Sequence, residues 1–217
     1  MRSRLVVSSM AVTLLFGGVT AATAKPLPCK LLTDPAHDDD IAPTVDHPMS
    51  SGSLDLTSTD MATNARDLTV VMRVRSLLWP DPDSPNGWYF SIDVTIGSTF
   101  LTFAASKDPL GEKFRAYRRN AQGGGNGAAE LLFVAKSTGV FDEDSSEVRI
   151  TTPLADLRKY APMRAGDRVT NVRVYAAQLV GENSQPIVAM RAGSVDSIDG
   201  GRASYRVGDR NCVIVGY

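Results

Sequence analysis

The sequence predicts an all-β protein, an antiparallel two-sheet sandwich of jelly-roll type with about ten strands. Apolar and polar residues alternate with a period of two through most of the chain, as they do in half-buried strands. Clusters of Gly, Pro, Asn and Asp separate the alternating runs, as turns do. No regular succession of strands and helices and no internal repeat is visible, which excludes an α/β or solenoid architecture.

The segment 67–77 is the clearest strand in the first part of the chain. Its apolar side chains fall on one face and its polar side chains on the other, which is typical of a half-buried strand. A turn at 64–66 connects it back to a strand around 54–58.

The loop 79–87 contains three prolines and cannot join a hydrogen-bonded ladder. A strand over 88–96 is therefore predicted to begin after it. A turn at 97–98 leads to its hairpin partner at 99–105. One face of the strand 88–96 is apolar and predicts core positions, which are Trp88, Phe90, Ile92, Val94 and Ile96.

A glycine-rich segment at 123–127 separates two further strands, at 112–121 and 128–136. A phosphate-binding loop would end in Gly-Lys-Ser/Thr and lead into a helix, whereas this segment leads into a strand, so we interpret it as a hairpin loop. The rest of the chain predicts a short helix at 153–160, with Pro153 in its first turn, and strands at 148–152, 168–180, 187–190 and 203–215. We interpret residues 35–52 as a long ordered loop, with partial disorder as the alternative.

The register of the hairpin 112–136 is predicted from its apolar faces. Placing Phe114 opposite Ala135 and Ala116 opposite Phe133 gathers the apolar residues on the buried side. Glu130 then lies opposite Arg119. The other side carries a basic stripe with one aromatic residue, consisting of Lys113, Arg115, Tyr117, Arg119 and Lys136. The stripe is either a solvated strand face or a surface that contacts an anionic polymer.

Residues 1–24 have the three segments of a cleavable signal peptide. Arg2 and Arg4 precede an apolar run at 5–19, and Ala22-Thr23-Ala24 forms a small-residue cleavage site. The run is shorter than the roughly 18 residues that span a bilayer, although a retained membrane anchor is the alternative. We expect a secreted, extracellular protein, with residues 25–217 forming a single β-sandwich domain.

The charge of the exported chain is close to neutral. Without residues 1–24 it keeps 24 acidic residues against 21 basic ones, a net charge of −3. Such a balance creates no long-range field that would attract nucleic acid or an anionic membrane. We therefore expect no nucleic-acid partner, and no later segment is long and apolar enough to be a membrane span.

The two cysteines, Cys29 and Cys212, stand near the two ends of the exported chain. An even number of cysteines in an oxidising compartment favours a disulfide bond. Metal ligation by the pair is the alternative, but neither cysteine belongs to a Cys-x-x-Cys motif.

Three segments resemble the β-sandwich modules of the DOMON-like and family 9 carbohydrate-binding type. They are LLTDPAHDDD at 31–40, SLDLTSTDMATNARDLTVVMRVRSL at 53–77 and VRITTPLADL at 148–157. The resemblance implies a non-catalytic jelly-roll module, secreted beside or attached to extracellular enzymes, that binds carbohydrate, calcium or, in some branches, haem. Haem-binding members use a methionine and a histidine, but His37 and His47 both stand in the acidic loop, and we expect no haem.

Calcium is the metal that the sequence suggests, because carboxylates are densest between residues 34 and 55. Asp34, Asp38, Asp40 and Asp55 could supply several of the six to eight oxygen ligands that Ca²⁺ takes. No EF-hand spacing is present, so a solvated acidic loop is the alternative. His37 and His47 are too loosely spaced to predict a zinc site.

Aromatic residues around the proline-rich loop are candidates for sugar binding. Trp79 and Tyr89 flank this loop and could form a stacking platform, whereas Trp88 is in phase with core residues. Arg115, Tyr117 and Arg119 of the basic stripe are further ligand-binding candidates. No Gly-x-Ser-x-Gly or His-Glu-x-x-His motif is present, and we expect no catalytic activity.

These observations predict a secreted, non-catalytic binding module. Its ligand is expected to be carbohydrate or a cell-surface polymer, with calcium as a possible support and no other cofactor. The alternative is a structural or inhibitory domain that binds another secreted protein.

Overall fold

The structure is a computed structural model that describes residues 30–33, 52–120, 130–161, 163–179, 195–200 and 205–208. The predicted signal peptide, both cysteines and the strand predicted at 187–190 lie outside these residues. So do three of the four calcium candidates, Asp34, Asp38 and Asp40. The predictions made for them stay predictions.

The described residues form twelve strands and one short helix. The helix confirms the one predicted near 153–160, and it follows Pro153 and buries both of its leucines. In chain order the elements are β1 (Lys30–Thr33), β2 (Leu56–Thr63), β3 (Asp67–Val74), β4 (Trp88–Ile96), β5 (Thr99–Asp108), β6 (Gly111–Asn120), β7 (Glu130–Lys136), β8 (Thr138–Asp142), β9 (Glu147–Pro153), α1 (Leu154–Leu157), β10 (Arg168–Gln178), β11 (Val195–Gly200) and β12 (Tyr205–Arg206).

The strands form two antiparallel sheets, which confirms the predicted two-sheet sandwich. The smaller sheet has the order β1-β2-β3-β9-β8. The larger sheet has the order β11-β10-β4-β5-β6-β7, with β12 paired to β10. Most neighbours are consecutive in the chain and form hairpins. A long connection returns β10 to the side of β4, the first strand of a four-strand meander, as in a Greek key.

The hydrophobic core fills the space between the sheets. The apolar faces predicted for β3 and β4 both belong to it, and every core residue predicted in β4 is fully buried. Strand pleating places alternate side chains on opposite faces, so the residues between these positions face outward. The predicted strands at 54–58 and 67–77 appear as β2 and β3, with Ser58 and Arg73 paired across them.

The predicted register of the hairpin 112–136 is wrong. Ala116 lies opposite Ala135, and a bulge follows, so that Tyr117 lies opposite Phe133. Leu131 rather than Glu130 faces Arg119. Consequently Phe133 points outward and is 57% exposed, while Val134 enters the core. A β-bulge inserts one extra residue into a strand, which changes the face of every side chain beyond it.

The larger sheet passes directly into the smaller one at Ser137, the only residue between β7 and β8. The Ser137 amide donates a hydrogen bond to the Phe114 carbonyl at 3.1 Å. Its hydroxyl shares a buried hydrogen bond of 2.7 Å with the hydroxyl of Thr152 in β9. Ser137 therefore ties β6 and β9 together at one corner of the sandwich.

No helix within the described part of the chain is long and apolar enough to cross a membrane. Its one described helix spans Leu154–Leu157.

Candidate ligand-binding face

The outward-facing side of the larger sheet, called the outer face below, gathers polar, cationic and aromatic side chains. Strand pairing places Tyr89 beside Ser106, Asp93 beside Thr102, and Thr102 beside Tyr117. Ser91, Asp93, Thr102 and Tyr117 on this face are buried, whereas Arg119, Phe133 and Lys136 are exposed. Its residues include Tyr89, Ser91, Asp93, Phe100, Thr102, Lys113, Arg115, Tyr117, Arg119, Phe133, Lys136 and Arg173.

Asp93 is a buried carboxylate in the middle of the outer face, with 8% of its surface exposed. Thr102 Oγ1 donates a hydrogen bond to Asp93 Oδ1 at 2.6 Å. Burial raises the pKa of Asp93, because the charged form loses its hydration. The hydrogen bond from Thr102 and the positive charges of Arg119 and Arg173 lower this pKa, but they do not offset the effect of burial.

Tyr89 lies on the outer face in the same strand as Asp93, with Ser91 between them on that face. Burial is the largest cause that raises the pKa of its hydroxyl, and a hydrogen bond with Ser91 lowers it. The nearby groups Asp93 and Tyr117 raise it further. Tyr89 therefore stays protonated at physiological pH and keeps an O–H group for hydrogen bonding.

Arg115, Tyr117 and Arg119 lie on the same side of β6, as predicted. Arg115 Nη1 and the Tyr117 hydroxyl are 3.5 Å apart. The Tyr117 ring meets the Phe133 ring edge to face, with centroids 6.2 Å apart. The Arg119 guanidinium lies 4.3 Å from the centroid of the Phe100 ring, a cation–π contact. Tyr117 is buried, whereas Arg115 is partly exposed and Arg119 is exposed, so this side of β6 presents guanidinium groups beside a buried ring.

An open pocket of about 640 Å³ adjoins the Tyr117–Phe133 pair at the border of β6 and β7. We call this cavity the basic pocket, and it is lined by Glu112, Lys113, Phe114, Arg115, Phe133, Lys136 and Ser137.

The sequence did not identify Phe133 as a site residue. Its apolar character predicted a core position, and the bulge that turns it outward is not visible in the sequence.

Trp79 does not join Tyr89 in one platform. Its ring packs edge to face on the buried Trp88, with centroids 5.2 Å apart, and it adjoins the core, whereas Tyr89 belongs to the outer face. Lys107 Nζ lies 5.6 Å from the Trp79 ring centroid and 3.2 Å from Glu112 Oε1. Trp79 therefore supports the end of the core, and Trp88 is a core residue as expected.

Asp55 is the one calcium candidate that the structure describes. It is fully buried, and its Oδ2 lies 3.0 Å from Nη1 of Arg75. Within the described residues, no group of three or more His, Cys, Asp or Glu side chains could hold a metal ion. A calcium site formed with Asp34, Asp38 and Asp40 would involve residues beyond those described, and it stays a prediction.

No protein-family model, curated protein or solved structure matches this chain. The resemblance to DOMON-like and family 9 carbohydrate-binding modules therefore stays a hypothesis based on three sequence segments. The exposed residues of the outer face lie on its β6–β7 side, where Arg119, Phe133 and Lys136 offer hydrogen-bond donors, aromatic surface and positive charge. This combination suits reversible binding of a polar ligand.

Proposed function

We propose that the protein is a secreted, non-catalytic binding module whose outer face binds carbohydrate or a cell-surface polymer. The observation that supports this most strongly is the exposed Phe133 ring, which lines a pocket together with Arg115 and packs against the buried Tyr117 ring. Aromatic rings cover the apolar faces of sugars, while neighbouring polar groups bond to the hydroxyls.

Phe133 supplies the exposed apolar surface of this arrangement. An isolated exposed hydrophobic residue is ordinary, but Phe133 is held in place by the Tyr117 ring and lies next to charged donors. Binding sites for small polar molecules combine such apolar surface with a few oriented polar groups.

The acidic groups near the site favour binding over hydrolysis. Glycosidases use two carboxyl groups that flank the scissile bond. Here Glu112 pairs with Lys107, with the charged atoms 3.2 Å apart. Asp93 accepts its hydrogen bond from Thr102 and is largely buried. Both carboxylates are thus engaged by protein groups.

The test is binding to a panel of soluble and insoluble polysaccharides, with Phe133→Ala as the site variant. Leu78→Ala is a matched control, since Leu78 is 59% exposed and Phe133 57% exposed. We expect Phe133→Ala to weaken binding at least tenfold and Leu78→Ala to leave it unchanged. Repeating the panel with a chelator tests the calcium dependence. Failure of the wild type to bind any polysaccharide, or equal binding by Phe133→Ala, contradicts the proposal.

The second candidate is a structural or inhibitory domain that binds another secreted protein. It is favoured by the two edge strands β7 and β8, which end their sheets within the described chain and carry the exposed Phe133 and Val140. An edge strand can pair with a strand of a partner. If this is the function, Val140→Lys, which places a charge on the exposed edge strand, should abolish partner binding and leave polysaccharide binding unchanged.

A further inference from the structure

Two cations face each other across β6 and β7. Arg115 and Lys136 are direct partners in the antiparallel register, so their side chains extend from the same face. Like charges at directly opposite positions destabilise a sheet. The juxtaposition depends on the observed register, because the predicted register placed Lys136 opposite Lys113.

The other charges of the basic pocket are neutralised by the protein itself. Lys113 Nζ lies 2.9 Å from Asp108 Oδ2, and Glu112 Oε1 lies 3.2 Å from Lys107 Nζ. Arg115 contacts only the Tyr117 hydroxyl among the polar groups described, and Lys136 has no ion-pair partner among them. The pocket therefore holds an excess of two positive charges that the described residues do not balance.

We propose that the basic pocket binds the carboxylate of an acidic sugar residue, a uronate, between Arg115 and Lys136. This assignment rests on the function proposed above and names its ligand class. A guanidinium can bind a carboxylate through two parallel hydrogen bonds, and an ammonium adds a compact positive charge. Phe133, next to both cations, offers its ring to the sugar that carries the carboxylate.

The size and the electrostatics of the pocket agree with this ligand. Its volume of about 640 Å³ lies within the range of small-molecule sites, about 300–1,000 Å³, and it accommodates a sugar with part of its neighbours. A bound carboxylate would convert the repulsion between Arg115 and Lys136 into two attractive contacts. A neutral sugar would leave that repulsion unchanged, so the pocket should discriminate between acidic and neutral polymers.

The first experiment compares polygalacturonate with its fully methyl-esterified form, which keeps the sugar chain but lacks the charge. We expect the wild type to bind the free acid at least tenfold more tightly, with a preference that falls as salt is added. Lys136→Gln should remove most of that preference. Lys159→Gln is the control, because it removes an exposed positive charge that does not line the basic pocket. This variant should retain the preference for the free acid.

The outcomes separate this inference from the proposed function. If the wild type binds both forms equally, the uronate site is wrong while polysaccharide binding stands. If it binds neither these nor any other polysaccharide, both fail. Tighter binding of poly(glycerol phosphate) than of polygalacturonate would overturn the assignment in favour of a phosphate-bearing polymer.

A second experiment needs no ligand and measures the repulsion itself. In the ligand-free protein at low ionic strength, Lys136→Gln should raise the melting temperature by a few degrees. The gain should shrink as salt screens the two charges. A melting temperature that is unchanged or lower at low ionic strength would show that the two cations do not repel each other, and would overturn the inference.

Discussion

Thr102 Oγ1 donates a hydrogen bond of 2.6 Å to Oδ1 of Asp93 on the outer face of the larger sheet. Asparagine can accept the same bond through its carbonyl oxygen, but it carries no charge. Because burial raises the pKa of Asp93, the folded protein holds the Asp93 proton more tightly than the unfolded chain does.

The first prediction is that Asp93→Asn stabilises the protein at neutral pH, by a few degrees in melting temperature. Below the ordinary pKa of 3.8 the Asp93 carboxyl is protonated in both states, so wild type and variant should be alike. As pH rises through the raised pKa of the folded state, the wild type loses stability relative to the variant. Urea unfolding from pH 3 to pH 7 measures this difference.

Asp144→Asn serves as the control for Asp93→Asn, because Asp144 is exposed in the turn between β8 and β9. It should show no comparable gain at neutral pH. A constant difference between wild type and Asp93→Asn at all pH values would contradict the prediction.

The second prediction concerns Glu147, whose pKa is lowered in the folded protein, whereas the pKa of Asp93 is raised. Burial raises its pKa, but hydrogen bonds and charge interactions with Arg149 and Arg73 outweigh burial, so that its pKa is lowered from 4.5. Arg73 Nε lies 2.8 Å from Glu147 Oε1, and the same guanidinium also pairs with Asp60. Glu147→Gln should cost about 1–3 kcal/mol of unfolding free energy at neutral pH.

The pH dependence of Glu147→Gln follows from the direction of the shift. The stabilisation by Glu147 is present above pH 4.5 and is lost as pH falls through the lowered pKa of the folded state. The difference in unfolding free energy between wild type and Glu147→Gln, measured by urea unfolding, should therefore disappear only in acid. Asp156→Asn, which disrupts an exposed pair with Lys159, is expected to have no measurable effect.

The third prediction concerns Gly87, which precedes β4 with a φ of +109°. A Cβ at this position would lie 2.0 Å from the Lys107 carbonyl oxygen. Gly111 also has a positive φ, +130°, but a Cβ there would meet nothing within 4 Å. Gly111→Ala should therefore cost only backbone strain, about 1–3 kcal/mol. Gly87→Ala should cost clearly more, and equal costs in denaturant titrations would show that no steric clash exists.

The fourth prediction is that Cys29 and Cys212 form a disulfide in the exported protein. Thiol labelling of the denatured, unreduced protein should find no free cysteine. The bond would close nearly the whole domain into one loop, which the chain-entropy model values at roughly 5 kcal/mol at most. Reduction should then lower the melting temperature, and two labelled thiols before reduction would exclude the bond.

The sandwich could be predicted from the sequence because strand pleating imposes the period of two directly on the side chains. The same reason explains why Arg115, Tyr117 and Arg119 lie together, since positions two and four residues apart in one strand share a face. Their placement needs no knowledge of any neighbouring strand.

The partners of these residues could not be predicted, because they depend on how β6 and β7 are aligned. The bulge after Ala116 shifts the pairing, and Phe133, which resembles a core residue in sequence, turns outward. Strand β8 was missed because it is short, contains Gly139 and has three exposed residues among its five, so it shows no clear apolar face. The basic pocket depends on both effects: the sequence placed Lys113, Arg115 and Lys136 on one side of the hairpin, but it carried no signal for the cavity or for the exposed Phe133.

The corner at Ser137 has a thermodynamic consequence for any ligand of the basic pocket. The pocket lies where β6, β7 and the start of β8 are held by the amide and hydroxyl hydrogen bonds of Ser137. Its backbone walls belong to paired strands, so binding would order few backbone torsions and would lose little conformational entropy. The cost of association would then fall mainly on the side chains of Arg115 and Lys136, whose rotamer freedom a bound anion would restrict.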